Sequence, residues 1–162
     1  AACYKTIEIS VKLGHKHIIT IDEQLNTKST SDARTHIAKI MNQWNEAATA
    51  EMSSDAKPIT GHRLIQEIRK ALAAQDILVT DTGCETIWSS LFYEVLASGR
   101  NYICASGSLG WSFPAAIGAK LAAGDRKVLN LIGDGGIGYH IGEFETAVRY
   151  NIPVVVVILN NM

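Results

Sequence analysis

The sequence predicts an α/β protein, a doubly wound parallel sheet with helices on both faces. Two short apolar runs rich in β-branched residues, at 128–132 and 154–159, have the length and composition of buried strands. Segments with the apolar spacing of amphipathic helices alternate with such runs, and this alternation indicates βαβ units. At 162 residues the chain can bury roughly 70% of its unfolded surface, which is enough for one sound core.

The amino-terminal part of the chain is predicted to be a separate unit. Two strand-like segments, residues 6–13 and 17–22, precede a polar loop and then a helix, for which Asp32 is a plausible N-cap. Four large apolar residues have the spacing of one helix face: Ile37, Ile40, Met41 and Trp44. Residues 46–57 are small and polar without periodicity, which predicts a linker.

Beyond the linker, helices and strands alternate along the chain. The predicted elements are a helix at 60–74, a strand at Ile77–Thr80, a helix from about residue 87 that closes near Gly99, a strand at 102–105, a helix at 115–123, a strand at 128–132, a helix at 142–150 and a strand at 154–159. Thr60 can cap the first of these helices, and Pro114 stands where a first-turn proline is tolerated. The predicted organisation is therefore residues 1–45, a linker at 46–57 and a domain at 58–162.

Two polar residues follow the last two predicted strands and could hold a metal ion. Asp134 follows the first of these strands and Asn161 the second. Because ligands of parallel sheets collect beyond the carboxyl ends of the strands, we expect the two side chains to meet there. Gly133, Gly135 and Gly136 let backbone N–H groups approach an anion closely. A carboxylate, an amide oxygen and an anion cradle together predict Mg²⁺ carrying a phosphorylated cofactor.

The spacing of these residues resembles the cofactor-binding motif of the thiamine-diphosphate enzymes. That motif is Gly-Asp-Gly, an interval and then Asn-Asn, and here it runs from Gly133 to Asn161. Residues 107–122 and 143–153 are similar to the acetolactate synthase and benzoylformate decarboxylase branch of the family. The resemblance begins at about Pro58 and implies the thiamine-diphosphate-binding fold, with its carboxyl-terminal part missing.

The same resemblance implies roles for the glycine-rich loop that starts at Gly107. Leu109 would be the apolar support that bends thiamine diphosphate into its working conformation through van der Waals contact. The carbonyl of Gly107 would accept a hydrogen bond from the cofactor's aminopyrimidine. Taken alone, Leu109 could be an ordinary core residue and Gly107 a plain turn residue.

A second candidate contact with the diphosphate lies after the strand Ile77–Thr80. Gly83, Cys84 and Glu85 follow this strand and open a helix, so their N–H groups could meet the phosphates. The family often has small hydroxyl residues here, and Cys84 and Glu85 depart from that pattern. We expect the carboxylate of Glu85 to point away from the phosphates.

The glycine-rich turn at 133–138 also fits two other interpretations. It satisfies G-x-G-x-x-G, the dinucleotide-binding fingerprint, although a lone match is weak. That fingerprint needs an acidic residue at the end of the next strand, where this chain has Asn160 and Asn161. A purely structural turn, with Asp134 as a helix N-cap or turn residue, is the other alternative.

The resemblance implies chemistry on 2-oxo acids. Mg²⁺ would clamp the diphosphate to Asp134 and Asn161 in an enzyme that decarboxylates a small-molecule 2-oxo acid and transfers the acyl unit to a second one, as acetolactate synthase does. A simple 2-oxo acid decarboxylase and a non-catalytic cofactor-binding fragment are the alternatives. An activating glutamate is expected on the pyrimidine-binding domain of a neighbouring subunit, in a homodimer or homotetramer, so this chain alone is expected to be inactive.

Composition gives no reason to expect nucleic acid or a membrane as a partner. The net charge is −1, and no apolar run approaches the ~18 residues needed to span a bilayer. Three scattered cysteines without a CxxC pair fit a reducing cytoplasm. The apolar strand at 154–159 belongs inside a sheet and not at its edge, so we expect the chain to be a fragment of a longer protein.

Overall fold

The computed structural model describes residues 30–105 and 107–160, and these belong to two compact units, Ala1–Arg63 and Leu64–Met162. The strands predicted at 6–13 and 17–22 lie outside the described residues, as does Asn161. The predicted division into residues 1–45, a linker and a domain at 58–162 therefore stays a prediction.

The first described element is a single long helix, α1, which spans Thr30–Met52. The predicted helix is present, but it continues through residues 46–52, where the sequence predicts a linker. An alanine-rich run favours this continuation, because alanine has the highest helix propensity. Asp32 is the third residue of α1 and not its N-cap. Although α1 is long, no helix in the described ranges is apolar enough to cross a membrane.

The remaining elements alternate as the sequence predicts. They are α2 (Gly61–Ala71), β1 (Ile77–Thr80), α3 (Cys84–Phe92), β2 (Tyr102–Cys104), α4 (Ser112–Ala123), β3 (Val128–Gly133), α5 (Asp134–Tyr139), α6 (Glu143–Arg149) and β4 (Val155–Leu159). The hydroxyl of Thr60 accepts a hydrogen bond from the backbone N–H of Arg63 at 3.3 Å, which confirms the predicted cap of α2. Pro114 is the third residue of α4, within the first turn as expected.

The four strands form one parallel sheet in the order β2-β1-β3-β4. The chain leaves β1 toward β2 on one side and then crosses back to place β3 on the other side. The carboxyl ends of β1 and β3 therefore flank a topological switch point, where sheets of this class bind their ligands.

Helices cover both faces of the sheet, which confirms the doubly wound architecture. Leu78, Leu129 and Leu131 project from one face into a core with the buried side chains of α2. Ile77, Val79 and Val128 alternate with them and pack on the other face against Ala116 and Ala123 of α4. Burying each large aliphatic side chain contributes about 1.5–3 kcal/mol, so the two cores fix the strand register that positions the strand tips.

Besides α1, two further helices differ from the prediction. The helix predicted to close near Gly99 ends at Phe92, because Tyr93 is extended and buried. The Tyr93 hydroxyl accepts a hydrogen bond from Arg69 Nη1 at 2.6 Å, and the Arg69 guanidinium lies over the ring. Tertiary contacts therefore override local periodicity here. The second difference is α5, a short helix that the sequence analysis does not predict; it begins at Asp134 itself.

Strand β4 has one neighbour among the described residues. It pairs with β3 alone, and Val155 and Ile158 are 57% and 46% exposed. The sequence analysis expects this apolar strand to lie inside a sheet, so its partner on the second side stays a prediction.

Candidate functional site

The candidate site lies where β1, β3 and β4 end. Gly133, the last residue of β3, is the register partner of Leu159, the last residue of β4. Asp134 and Asn160 therefore leave the sheet side by side at its carboxyl edge. Asp134 is exposed at this edge, whereas Asn161 lies outside the described residues.

No group of three or more His, Cys, Asp or Glu side chains within residues 30–105 and 107–160 could hold a metal ion. A metal beside Asp134 would therefore need ligands of other kinds, such as amide or backbone carbonyl oxygens.

Asp81 holds the centre of the site together. It follows β1, is fully buried and accepts a hydrogen bond from the Gly110 N–H at its Oδ2 atom, with a distance of 2.7 Å. The backbone N–H of Asp81 donates to the Leu131 carbonyl, and the Thr86 hydroxyl donates to the backbone carbonyl of Asp81. One aspartate thus connects β3, α3 and the glycine-rich loop. The sequence analysis gives Asp81 no role, although an acid between a buried strand and Thr-Gly is a signal that could have indicated one.

The loop from Gly107 to Gly110 presents Leu109 to solvent. Gly107 and Gly110 have φ values of +83° and +87°, a conformation that favours glycine. Leu109 between them is 44% exposed, so the alternative that it is an ordinary core residue is wrong. A Cβ atom at Gly107 would meet no atom within 4 Å, and the face of this loop is therefore open.

The loop is packed against α5 and the residue that follows it. A Cβ atom on Gly110 would lie 2.9 Å from the Gly136 carbonyl oxygen and 3.0 Å from His140 Nδ1. On Gly136 it would overlap Asp81 Oδ2. Both glycines are therefore required by close approach, and they bring Leu109 and Asp134 to the same edge of the sheet. Gly135, in contrast, is exposed and has open space around it.

Glu85, in the first turn of α3, is the second buried acid of the site. It is 4% exposed, and its Oε1 atom accepts a hydrogen bond from the Gly133 N–H at 3.2 Å. Burial is the main cause that raises the pKa of this carboxyl above its ordinary value, and the nearby Asp81 and Asp134 raise it further. Hydrogen bonds from the backbone N–H groups of Glu85 and Gly133 act in the opposite direction. The sequence analysis expects this side chain to point away from the phosphates, whereas the structure places it against the Gly133 amide.

The other predicted contacts of α3 are accessible. Gly83 and Cys84 are exposed at the start of the helix, and Gly83 has φ +156°. A Cβ atom on Gly83 would lie 2.8 Å from Glu85 Oε1, so the Glu85 carboxylate lies between Gly83 and Gly133. Three of the polar atoms in and around this site are buried without a hydrogen-bond partner: Asp81 Oδ1, Trp111 Nε1 and His140 Nδ1.

The residues present fit a diphosphate-bearing cofactor held through a cation. The exposed Asp134, the open Gly135 and the accessible start of α3 lie on one edge of the sheet, beside the protruding Leu109. With two buried carboxylates close by, a bare diphosphate would be repelled unless a metal ion intervened.

Comparison with known proteins identifies the family of the chain. Residues 81–162 match the family model described as the thiamine pyrophosphate enzyme, C-terminal TPP binding domain; thiamine pyrophosphate is another name for thiamine diphosphate. The chain belongs to the thiamine pyrophosphate enzyme family. The matched range starts at Asp81 and contains β3, α5 and β4. Membership in this family confirms the resemblance and sets aside the dinucleotide interpretation of residues 133–138.

Relatives within the family belong to the expected branch. The acetolactate synthase large subunit of Haemophilus influenzae is 32% identical over 83% of this chain. The benzoylformate decarboxylase of Pseudomonas aeruginosa is 33% identical over 70% of it. The solved structure of the thiamine diphosphate-dependent 4-hydroxybenzoylformate decarboxylase of Rhodococcus jostii RHA1 superimposes with a TM-score of 0.59, at 37% identity over 67% of this chain. The chain spans only 23%, 21% and 20% of these three proteins.

Proposed function

We propose that this chain is the thiamine diphosphate- and Mg²⁺-binding part of an enzyme that decarboxylates a 2-oxo acid and transfers the acyl unit to a second 2-oxo acid. The observation that carries the proposal is the convergence of Asp134, the end of β4 and the Leu109 loop at one sheet edge. The similarity to acetolactate synthase large subunits supports the transfer reaction.

Each residue of the site would have a limited task. Asp134 and Asn161 would hold Mg²⁺, which would neutralise the diphosphate. Six backbone N–H groups would face the phosphates, those of Gly83, Cys84, Glu85, Gly133, Gly135 and Gly136. Leu109 would support the bent cofactor, and the Gly107 carbonyl would accept a hydrogen bond from its aminopyrimidine. When bound, thiamine diphosphate supplies the electron sink that decarboxylation of a 2-oxo acid requires. Asp81 would keep the Leu109 loop in register through the Gly110 N–H.

The metal assignment is tested by calorimetric titration of the chain with thiamine diphosphate in the presence and absence of Mg²⁺. Asp134→Ala should weaken Mg²⁺-dependent binding by roughly 100-fold or more, since even the outer-shell partners of a metal contribute 10–100-fold. Asp125→Ala is the matched control, because Asp125 is exposed just before β3, at the opposite end of that strand. Equal affinity of the Asp134 and Asp125 variants would contradict the assignment.

A simple 2-oxo acid decarboxylase is the second candidate, supported by the similarity to benzoylformate decarboxylase. We propose that the activating glutamate comes from the pyrimidine-binding domain of a neighbouring subunit in a homodimer or homotetramer. The chain should therefore be combined with a separately produced pyrimidine-binding domain and supplied with pyruvate. Acetolactate as product supports the transferase, acetaldehyde supports the decarboxylase, and no product supports a non-catalytic fragment.

We further propose a cytoplasmic location. The two cysteines in the described part of the chain, Cys84 and Cys104, are free and exposed. Exposed free thiols are typical of a reducing compartment. Labelling of the native protein in cell fractions with an antibody would test this location, and recovery in an extracytoplasmic fraction would contradict it.

A further inference from the structure

The carboxylate of Glu85 lies among the backbone N–H donors that the proposed function assigns to the diphosphate. Glu85 accepts the Gly133 N–H, and its own backbone N–H also hydrogen-bonds to its carboxylate. These two donors belong to the entrance of α5 and the first turn of α3. The carboxylate therefore lies where an anion bound between the two helices would be placed.

We propose that the Glu85 carboxylate competes with the diphosphate of the cofactor for the backbone N–H groups between α3 and α5. The carboxylate must leave the Gly133 amide before the diphosphate can bind in this cradle of N–H groups. This inference rests on the proposed function and adds a residue that sets the affinity of the site. The role belongs to the carboxylate of Glu85, to which the sequence analysis assigns no function.

The surrounding charges support competition in preference to shared binding. Asp81 and Asp134 both lie close enough to Glu85 to influence its ionisation, and all three groups are acids. Within the described ranges Glu85 has no ion-pair partner that could offset a second anion. A diphosphate added beside the Glu85 carboxylate would therefore meet repulsion at short range in a poorly solvated site.

The available space supports the same conclusion. A Cβ atom on Gly133 would lie 3.5 Å from Glu85 Oε1, and one on Gly83 would lie 2.8 Å from it. The carboxylate thus fills the space between the two glycines, and a phosphate oxygen cannot use the Gly133 N–H while Glu85 accepts it. The apparent affinity for the cofactor is reduced by the fraction of molecules in which Glu85 holds the cradle.

Two substitutions separate the charge of Glu85 from its bulk. Glu85→Gln keeps an acceptor for the Gly133 N–H but removes the charge, and Glu85→Ala also vacates the space. The control is Glu67→Gln, the same chemical change on a side chain that is 42% exposed on α2 and paired with Lys70. The 162-residue chain and each variant are titrated calorimetrically with Mg²⁺-thiamine diphosphate and with Mg²⁺-pyrophosphate.

We expect both ligands to bind about tenfold or more tightly to Glu85→Ala, with an intermediate gain for Glu85→Gln and none for Glu67→Gln. Unchanged or weaker binding by both Glu85 variants, with binding by the parent chain intact, would overturn this inference and leave the proposed function standing. The proposed function fails, and the inference with it, if neither the parent chain nor any variant binds either ligand although circular dichroism shows all of these proteins folded. Should Glu85→Ala fail to fold, Glu85→Gln decides the question alone.

Discussion

At the scale of single residues, the buried carboxyl of Glu85 makes the stability of the protein depend on pH. The folded state raises the pKa of Glu85, through burial first and then through Asp81 and Asp134, which face it from the ends of β1 and β3. The folded protein therefore binds a proton more tightly at Glu85 than the unfolded chain does. By linkage, the contribution of Glu85 to stability falls as the pH rises from the ordinary glutamate range through the raised pKa.

Glu85→Gln should accordingly raise the melting temperature at a pH above the raised pKa of the wild-type carboxyl, and this gain should shrink as the pH falls through that pKa toward the ordinary glutamate range. Thermal melts of both proteins over this range measure the difference. Titrating groups that do not interact with Glu85 are common to the two proteins and cancel. A gain that does not change with pH would show that the charge of Glu85 is not the cause.

The site residues differ in whether their positions could be predicted from the spacing of motifs in the sequence. Asp134 and Gly107 follow strands whose apolar composition is visible in the sequence, so their positions at the sheet edge could be predicted. Asp81 was missed because its role depends on Gly110, which is 29 residues away in the chain. The contact between the Glu85 carboxylate and the Gly133 N–H was missed for the same reason, since the two residues are 48 positions apart.

At the scale of secondary-structure elements, α5 depends on Gly136 for a packing reason that the sequence alone does not show. A Cβ atom on Gly136 would overlap Asp81 Oδ2 and lie 2.9 Å from Ile132 Cγ1, both parts of the rigid sheet edge. A Cβ atom on Gly138, in the same helix, would meet nothing within 4 Å. The two positions therefore form a matched pair.

Gly136→Ala should destabilise the protein by about 1–3 kcal/mol, because the methyl group forces backbone or side-chain shifts in a packed region. Gly138→Ala should be neutral or stabilising by up to about 1 kcal/mol, because alanine has the higher helix propensity. Urea unfolding of both variants measures these changes. Similar destabilisation by the two substitutions would mean that contact with Asp81 is not what requires Gly136.

The strands were easier to predict than the ends of the helices. β1 and β3 are largely apolar runs buried between two helical layers, so composition alone predicts them. The early end of α3 depends on Tyr93 packing against Arg69, and the extension of α1 across residues 46–52 depends on helix propensity in a segment without apolar periodicity. Neither signal is visible to an argument based on apolar spacing.

At the scale of the whole molecule, the order β2-β1-β3-β4 places the switch point beside Asp81 and Asp134. Alternation of helices and strands predicts a doubly wound sheet, and the carboxyl-end rule predicts the edge that binds the ligand. The identity of that ligand needed the family motif, since the same sheet supports many functions.

The most direct test is a crystal structure of the chain grown with thiamine diphosphate and Mn²⁺ in place of Mg²⁺, because Mn²⁺ can be located by its anomalous scattering. We predict one anomalous peak about 2.0–2.3 Å from carboxylate and amide oxygens of Asp134 and Asn161, with the diphosphate completing the coordination shell. Cofactor density at this edge without a metal bound to Asp134, or a metal elsewhere on the protein, would contradict the account.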